Sequence, residues 1–182
     1  LAFNKRIAEE MTKRLPGHVK CATLNSVGHR VWMQACSKKI VLNTRKSYEL
    51  LTAKVQGLRK RDKEEAFEYF SEILRGVTVA KLKGYVPDGK YPSAKRLSNS
   101  AYFYEAPFWE EEPSDLQRTL IDEVLTDSIK LAYDGVIDFD DQIYMPTLFG
   151  GTFPRFPRVM VDEAQDLSAI NHAMLEKLVT AR

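Results

Sequence analysis

Cysteine is scarce in this 182-residue chain, with only Cys21 and Cys36, and histidine is limited to His18, His29 and His172. No CxxC pair and no Cys/His cluster exists, so the sequence offers no structural zinc pattern and no disulfide framework; a reducing compartment follows as the default. Long hydrophobic runs are missing too. The longest is the four-residue "AYFY" at 101–104, far below the ~20 apolar residues a membrane span requires. The N-terminus has no apolar signal core and does not begin with Met, so the chain is expected to start inside a longer protein. Glycine and proline are sparse, at nine and eight residues, and nothing reads as low-complexity. Apolar residues at 44% and charged residues at 29% fit one globular domain, or one domain carrying an insertion. The expected location is cytoplasmic, or nuclear in a eukaryote.

Charge is present but unevenly placed. The net charge is +2, yet residues 38–61 hold Lys38, Lys39, Arg45, Lys46, Lys54, Arg59, Lys60 and Arg61 against Glu49 alone. Residues 105–123 reverse the sign, with Glu105, Glu110, Glu111, Glu112, Asp115, Asp122 and Glu123 against Arg118. The basic segment suits a polyanion partner, although on charge alone a solvated helix face is the simpler account.

Periodicity predicts helices at both ends and through the middle. "FNKRIAEEMTKRLPG" carries Ile7, Ala8, Met11 and Leu15 on one face and stops at Pro16-Gly17. "HVKCATL" and "KKIVLN" read as short strands. "SVGHRVWMQAC" reads as a helix capped by Ser26, and Asn43 is the expected cap for a helix across 44–58. The clearest helix is 62–83, with Asp62 at its N-cap, an apolar stripe from Ala66 to Leu82, and Gly84 ending it. Residues 85–114, with Pro87, Pro92, Pro107 and Pro113, read as loop. A long helix follows over 115–133, then a capped helical turn in "DFDDQIYMPTLFGG". "PRVMVDEAQ" has the pattern of a buried strand, and "LSAINHAMLEKLV" that of a helix. Strand and helix pieces at both ends with a helical block between them point to an α/β domain carrying a mostly helical insertion.

The chemistry concentrates in "RVMVDEAQDLS", 158–168. A strand here delivers Asp162 and Glu163 to its carboxyl end, where parallel α/β sheets gather ligands. Asp162 can hold a hydrated Mg²⁺, Glu163 can act as general base toward water, and Gln165 can hydrogen-bond that water or a terminal phosphate. The competing reading is an acidic N-terminal cap for the following helix.

A metal and base need something to hold phosphates. "GYVPDGKY", 84–91, fits G-x-x-x-x-G-K, but Tyr91 replaces the small hydroxyl, a helix precedes it, and Pro87 removes a donor. It reads as a turn. The aromatics of "AYFYEAPFW" offer stacking faces for single-stranded bases, while Phe103 and Trp109 read first as core of the helical block. Lys81, Lys83, Lys90, Lys95 and Arg96 flank that loop and leave a DNA-facing role open.

Four motifs in order, "LAFNKRIAEEM", "TLNSVGHRVW", "DFDDQI" and "VMVDEAQD", resemble the UvrD/Rep-like superfamily one DNA helicases, and the "FNK-x-I-A" form is most similar to the branch containing the F-box DNA helicase. The motif matches cover about 80 residues at the two ends. The resemblance implies an α/β fold, namely a partial RecA-like P-loop NTPase domain with an inserted, mostly helical subdomain. The motor domain would occupy 1–36 and 135–182, the latter with the Walker B motif, and the insertion 37–134. The family's phosphate loop is expected upstream of Leu1, and its second motor domain beyond Arg182. Residue by residue, the resemblance implies DNA contacts at Phe3, Asn4, Lys5, Thr23, Asn25, Ser26 and Arg30. Asn25 stands where the family usually has His. Asp162 is implied as metal ligand, with Glu163 and Gln165 as catalytic residues. Asp138, Phe139 and Asp141 match a short acidic motif read as mainly structural. The implied cofactors are Mg²⁺ and ATP, and the implied partners are single-stranded DNA and the remainder of the helicase. The activity expected is ATP-driven translocation and unwinding by the complete enzyme, with the chain inactive alone. Two other classes stay open: a P-loop ATPase of a different kind, and a single-stranded DNA-binding module without chemistry.

Overall fold

A computed structural model describes residues 1–2 and 5–180. Helices dominate. In chain order they are α1 (Lys5–Arg14), α2 (Leu24–Cys36), α3 (Lys46–Gln56), α4 (Lys60–Glu68), α5 (Phe70–Lys83), α6 (Ser100–Tyr104), α7 (Asp115–Tyr133), α8 (Asp141–Phe149) and α9 (Ala169–Leu178). Two short strands, β1 (Val41–Leu42) and β2 (Val136–Ile137), pair in parallel with Val41 opposite Val136. The described chain is therefore mostly helical with a small two-stranded parallel sheet. No helix among the described residues is long and apolar enough to cross a membrane.

The central helix is α7, which begins where its sequence signals it. Ser114 Oγ accepts from the Gln117 amide and the Gln117 side chain accepts from the Ser114 amide, a reciprocal cap that satisfies two otherwise orphaned donors. Its apolar stripe, Leu120, Ile121, Val124, Leu125, Ile129 and Ala132, is fully buried. Each of its Leu, Ile and Val side chains contributes about 1.5–3 kcal/mol. Against it pack Leu51 and Val55 of α3 and Ile73, Val77 and Ala80 of α5. Trp32 of α2 joins the same cluster, and its indole donates to the Ala132 carbonyl at 3.1 Å.

Several local expectations give way to packing. The helix expected over 62–83 is two helices broken at Tyr69 (φ −101°, ψ 22°). No proline or glycine marks the break; both pieces pack on α7 and α3, and fitting them there sets the bend. Asp62 lies in the first turn of α4 rather than at its cap, which is Arg59. Helix α2 is capped by Thr23 instead of Ser26, because Thr23 has the extended backbone (φ −89°, ψ 155°) a cap needs. Asn43 caps no helix directly: its Oδ1 accepts from the Arg45 amide at 2.9 Å, closing a turn before α3.

Two expected strands are not strands. "HVKCATL" contributes only one parallel bridge, Ala2 with Thr23. "PRVMVDEAQ" forms no strand: Val159 and Val161 are half-buried, Met160 is 69% exposed, and the span ends in a 3-10 turn from Ala164. Along this segment, backbone bonds come from Leu1, and of its side chains Val159 packs against the core while Met160 faces solvent.

Candidate nucleic-acid groove and carboxylate edge

Three extended segments, each leading toward a helix, lie side by side. Leu1 donates to the Met160 carbonyl and accepts from the Asp162 amide, the alternating pattern of a parallel ladder. Ala2 donates to the Ala22 carbonyl at 3.0 Å and bridges Thr23 in parallel on the other side. Parallel segments end on the same side. At about 4.8 Å per step, the backbones at Asp162 and Thr23 lie ~10 Å apart, with the start of the chain between them.

At the Thr23 end an open groove of about 1010 Å³ runs between α1, the first turns of α2 and the start of α8. Lys5, Thr23, Asn25, Ser26 and Arg30 all line it, so the structure gathers these five expected DNA-contact residues in one place. Phe3 and Asn4 lie outside the described residues. Lys5 is exposed and stands 3.7 Å from Glu9, one turn on. The Thr23 hydroxyl accepts the Ser26 amide, the Ser26 hydroxyl donates to the Thr23 carbonyl at 2.9 Å, and Arg30 Nε donates to the Ser26 carbonyl at 3.2 Å. These bonds hold the side chains in place while the Arg30 guanidinium stays exposed. Asn25 is tied differently: its amide donates to the Phe139 carbonyl at 2.9 Å. Its first task is to fasten α2 to the approach of α8, leaving one amide N–H for a ligand.

The opposite wall comes from "DFDDQI". Asp138 and Asp141 accept each other's backbone amides at 2.9 Å. Lys81 Nζ reaches Asp138 at 2.6 Å and Asp141 at 2.8 Å, and Lys46 Nζ pairs with the second oxygen of Asp141. Both lysines are 1% exposed. Burial raises the Asp138 carboxyl, but Lys81 and Lys46 outweigh it and hold the group down at about 2. Burial likewise lowers Lys81, and the two aspartates overcome it and leave the ammonium raised; for Lys46, burial prevails and the shift is downward. Asp140 has no such partner among the described residues. Burial, then the charge of Asp138, pushes it up to about 6, and it lines the groove.

The burial of these ion pairs removes Lys46 and Lys81 from any DNA-facing role. Lys54 is also engaged, at 2.7 Å from Asp127 and 3.2 Å from Glu123. Of the basic segment, Lys38, Lys39, Arg45, Arg59, Lys60 and Arg61 remain at the surface. Sequence reasoning missed the burial of the lysines, although Lys81 falls four residues after Val77 and eight after Ile73, inside the apolar stripe of α5. A lysine at such a position signals a buried anion.

Asp162, Glu163 and Gln165 are exposed and do not line the groove. Glu163 has a left-handed backbone (φ 53°) and precedes a single 3-10 turn, Ala164–Asp166; the Gln165 amide donates to its carboxylate. A non-glycine residue held there costs on the order of 1 kcal/mol or more. The carboxylates do not cap the next helix: Ser168 is the N-cap residue of α9, whose first turn holds no acidic residue. Among the described residues no group of three His, Cys, Asp or Glu is placed to hold a metal ion.

Gly84 terminates α5 in the left-handed region (φ 67°), and the segment to Tyr91 runs through a parallel bridge of Tyr85 with Ser98 and a turn at 88–89 without opening a helix. Phe103 is 1% exposed and stacks on Tyr85 at 4.5 Å, with Trp109 donating to its carbonyl. Those aromatics are core, and Tyr102 is the exposed one. Comparison with family models, with curated proteins and with solved structures returns no match.

Proposed function

We propose that this chain is part of an ATP-driven motor on single-stranded DNA, a helicase of the UvrD/Rep-like kind, built on a RecA-like domain with its helical insertion at 37–134. The observation that carries the reading is the parallel alignment of Met160–Asp162, Leu1–Ala2 and Ala22–Thr23. It puts the carboxylate pair and the polar end of the groove on one edge, so that a nucleotide at the first and a strand in the second would be neighbours.

Under this reading the groove residues bind the backbone of the strand. Arg30 and Lys5 supply charge, and the spare Asn25 N–H supplies a directional bond to a phosphate oxygen. Asp162 would hold Mg²⁺. An exposed single carboxylate suits that ion, which keeps several waters and takes its remaining ligands from nucleotide phosphates. Bound with ATP it would neutralise phosphate charge. Glu163 would accept a proton from the attacking water. The Gln165 amide occupies one carboxylate oxygen and leaves the other to face solvent, which orients the base.

A second reading, a single-stranded DNA-binding module without chemistry, draws on the groove's being formed without Asp162 or Glu163. Phosphate release by the intact protein separates the two. Glu163→Gln is nearly isosteric and removes only the proton acceptor, worth ~10²–10⁴-fold in general-base catalysis. Single-stranded DNA should stimulate phosphate release in the parent, and the variant should lose it by that order while keeping nucleotide and DNA affinity within a few-fold. Asp162→Asn should weaken Mg²⁺-dependent nucleotide binding as well. Near-normal turnover in Glu163→Gln would sink the base assignment, and no DNA-stimulated turnover in the parent would favour the binding module.

A further inference from the structure

Phe139 is out of keeping with its surroundings. Its neighbours Ile137 and Asp138 are buried, Asp141 is fully buried, and yet Phe139 is 54% exposed and lines the groove. The ring is not simply on a loose loop. One residue before it, Asp138 is clamped by Lys81; two residues after it, Asp141 is clamped by Lys46 and Lys81. The Phe139 carbonyl accepts from Asn25 at 2.9 Å and from the Gln142 amide at 3.3 Å. A backbone pinned at four points presents an aromatic face to solvent at a fixed position, beside the donors of Asn25 and Arg30. An apolar flat face next to cationic and hydrogen-bonding groups matches a nucleotide unit, with a base to stack and a phosphate to bind.

We infer that Phe139 is a base-stacking residue of the groove, taking one unpaired base of a single strand while Arg30 and the spare Asn25 N–H hold the adjoining phosphate. The inference rests on the proposed reading of the groove and adds a specificity to it: the groove prefers strands that have bases over the bare sugar-phosphate chain. Every base has a π-face, so the contact is tolerant of sequence. It is also rigid in advance, because the buried ion pairs fix the backbone before any strand arrives.

The test uses the chain with two fluorescent probes, a 20-nucleotide oligothymidylate and the same strand with abasic sites through its centre. The parent should bind the thymidylate strand more tightly than the abasic strand, by about fivefold or more. Phe139→Ala should erase that preference, leaving affinity for the abasic strand and the urea midpoint unchanged. Phe139→Trp should keep the preference, and its added fluorescence should be quenched by the thymidylate strand but not by the abasic one. An equal preference in the parent and in Phe139→Ala, or no quenching in Phe139→Trp, overturns the stacking role. If Lys5→Ala and Arg30→Ala still weaken binding in that case, the groove reading stands while the stacking inference falls. If neither strand binds the parent, both fall. Should Phe139→Ala fold poorly, the quenching of Phe139→Trp decides.

Discussion

Gly28 of α2 packs directly on the backbone of Gln142 in α8: a Cβ at Gly28 would stand 1.9 Å from the Gln142 carbonyl oxygen and 3.0 Å from its carbonyl carbon. The two helices that form opposite walls of the groove meet at this point, and only a hydrogen side chain permits the approach. On a free helix surface, Gly→Ala would stabilise by about 1 kcal/mol. Here the overlap is with backbone, which cannot rotate away, so Gly28→Ala should instead destabilise by ~1–3 kcal/mol. Urea unfolding measures the sign. Greater stability in the variant would show that α2 and α8 do not meet as described.

The buried ion network sets up a contrast in magnitude. Lys81→Met leaves Asp138 and Asp141 short of a cation in a site with almost no water, and loss of one partner of a buried pair costs roughly 3–5 kcal/mol. Lys54→Ala removes a pair that solvent reaches, and should cost no more than about 1 kcal/mol. Both can be read from the same denaturation series. Equal costs for the two would mean that Lys81 is solvated in solution.

The two flanking aspartates of that network respond to pH in opposite directions. Asp138, held at about 2 against an ordinary 3.8, contributes stability that is complete above pH 4 and lost as pH falls toward 2. Asp140, raised to about 6, binds its proton more tightly in the folded state, so stability declines as pH rises from 4 to 6 and then levels. Asp140→Asn should therefore stabilise the chain by ~2–3 kcal/mol well above pH 6 and leave it unchanged near pH 4. Removal of the Asp140 charge should also strengthen binding of a polyanion above pH 6. Its neighbours Lys5, Glu9, His29 and Arg30 line the same groove, and the variant separates its contribution from theirs. A stability curve of Asp140→Asn that parallels the parent at every pH would rule out this assignment.

Binding of single-stranded DNA should depend steeply on salt, because each phosphate neutralised releases condensed counterions with a slope of about 0.7 on a log–log plot. Lys5→Ala and Arg30→Ala should each lower that slope by ~0.7. Lys46→Met should not alter it in protein that remains folded, since Lys46 is buried against Asp141. Fluorescence anisotropy titrations across a salt series provide the check, and unchanged slopes in the two groove variants would remove those residues from the contact.

What the sequence determined by itself is what neighbouring residues decide. The span 115–133 is helical because its apolar stripe and its Ser-x-x-Gln start lie within a few residues of one another, and α5 ends at Gly84 because a left-handed backbone there suits glycine. The grouping of Thr23, Asn25, Ser26 and Arg30 came from the resemblance alone, since the local pattern read Thr23 as strand and began the helix at Ser26, whereas Thr23 is the cap. Tertiary structure decided the rest. That Phe139 and Asp140 face those residues depends on a contact spanning 114 positions, and no local pattern encodes it. The stripe position of Lys81 hinted at burial, but only the folding of α5 against the approach to α8 could pair it with Asp138. The same holds for "VMV", whose alternation promised a buried strand. Its sequence sets an extended backbone, whereas burial depends on what lies beside it, and the extended partner beside it is Leu1.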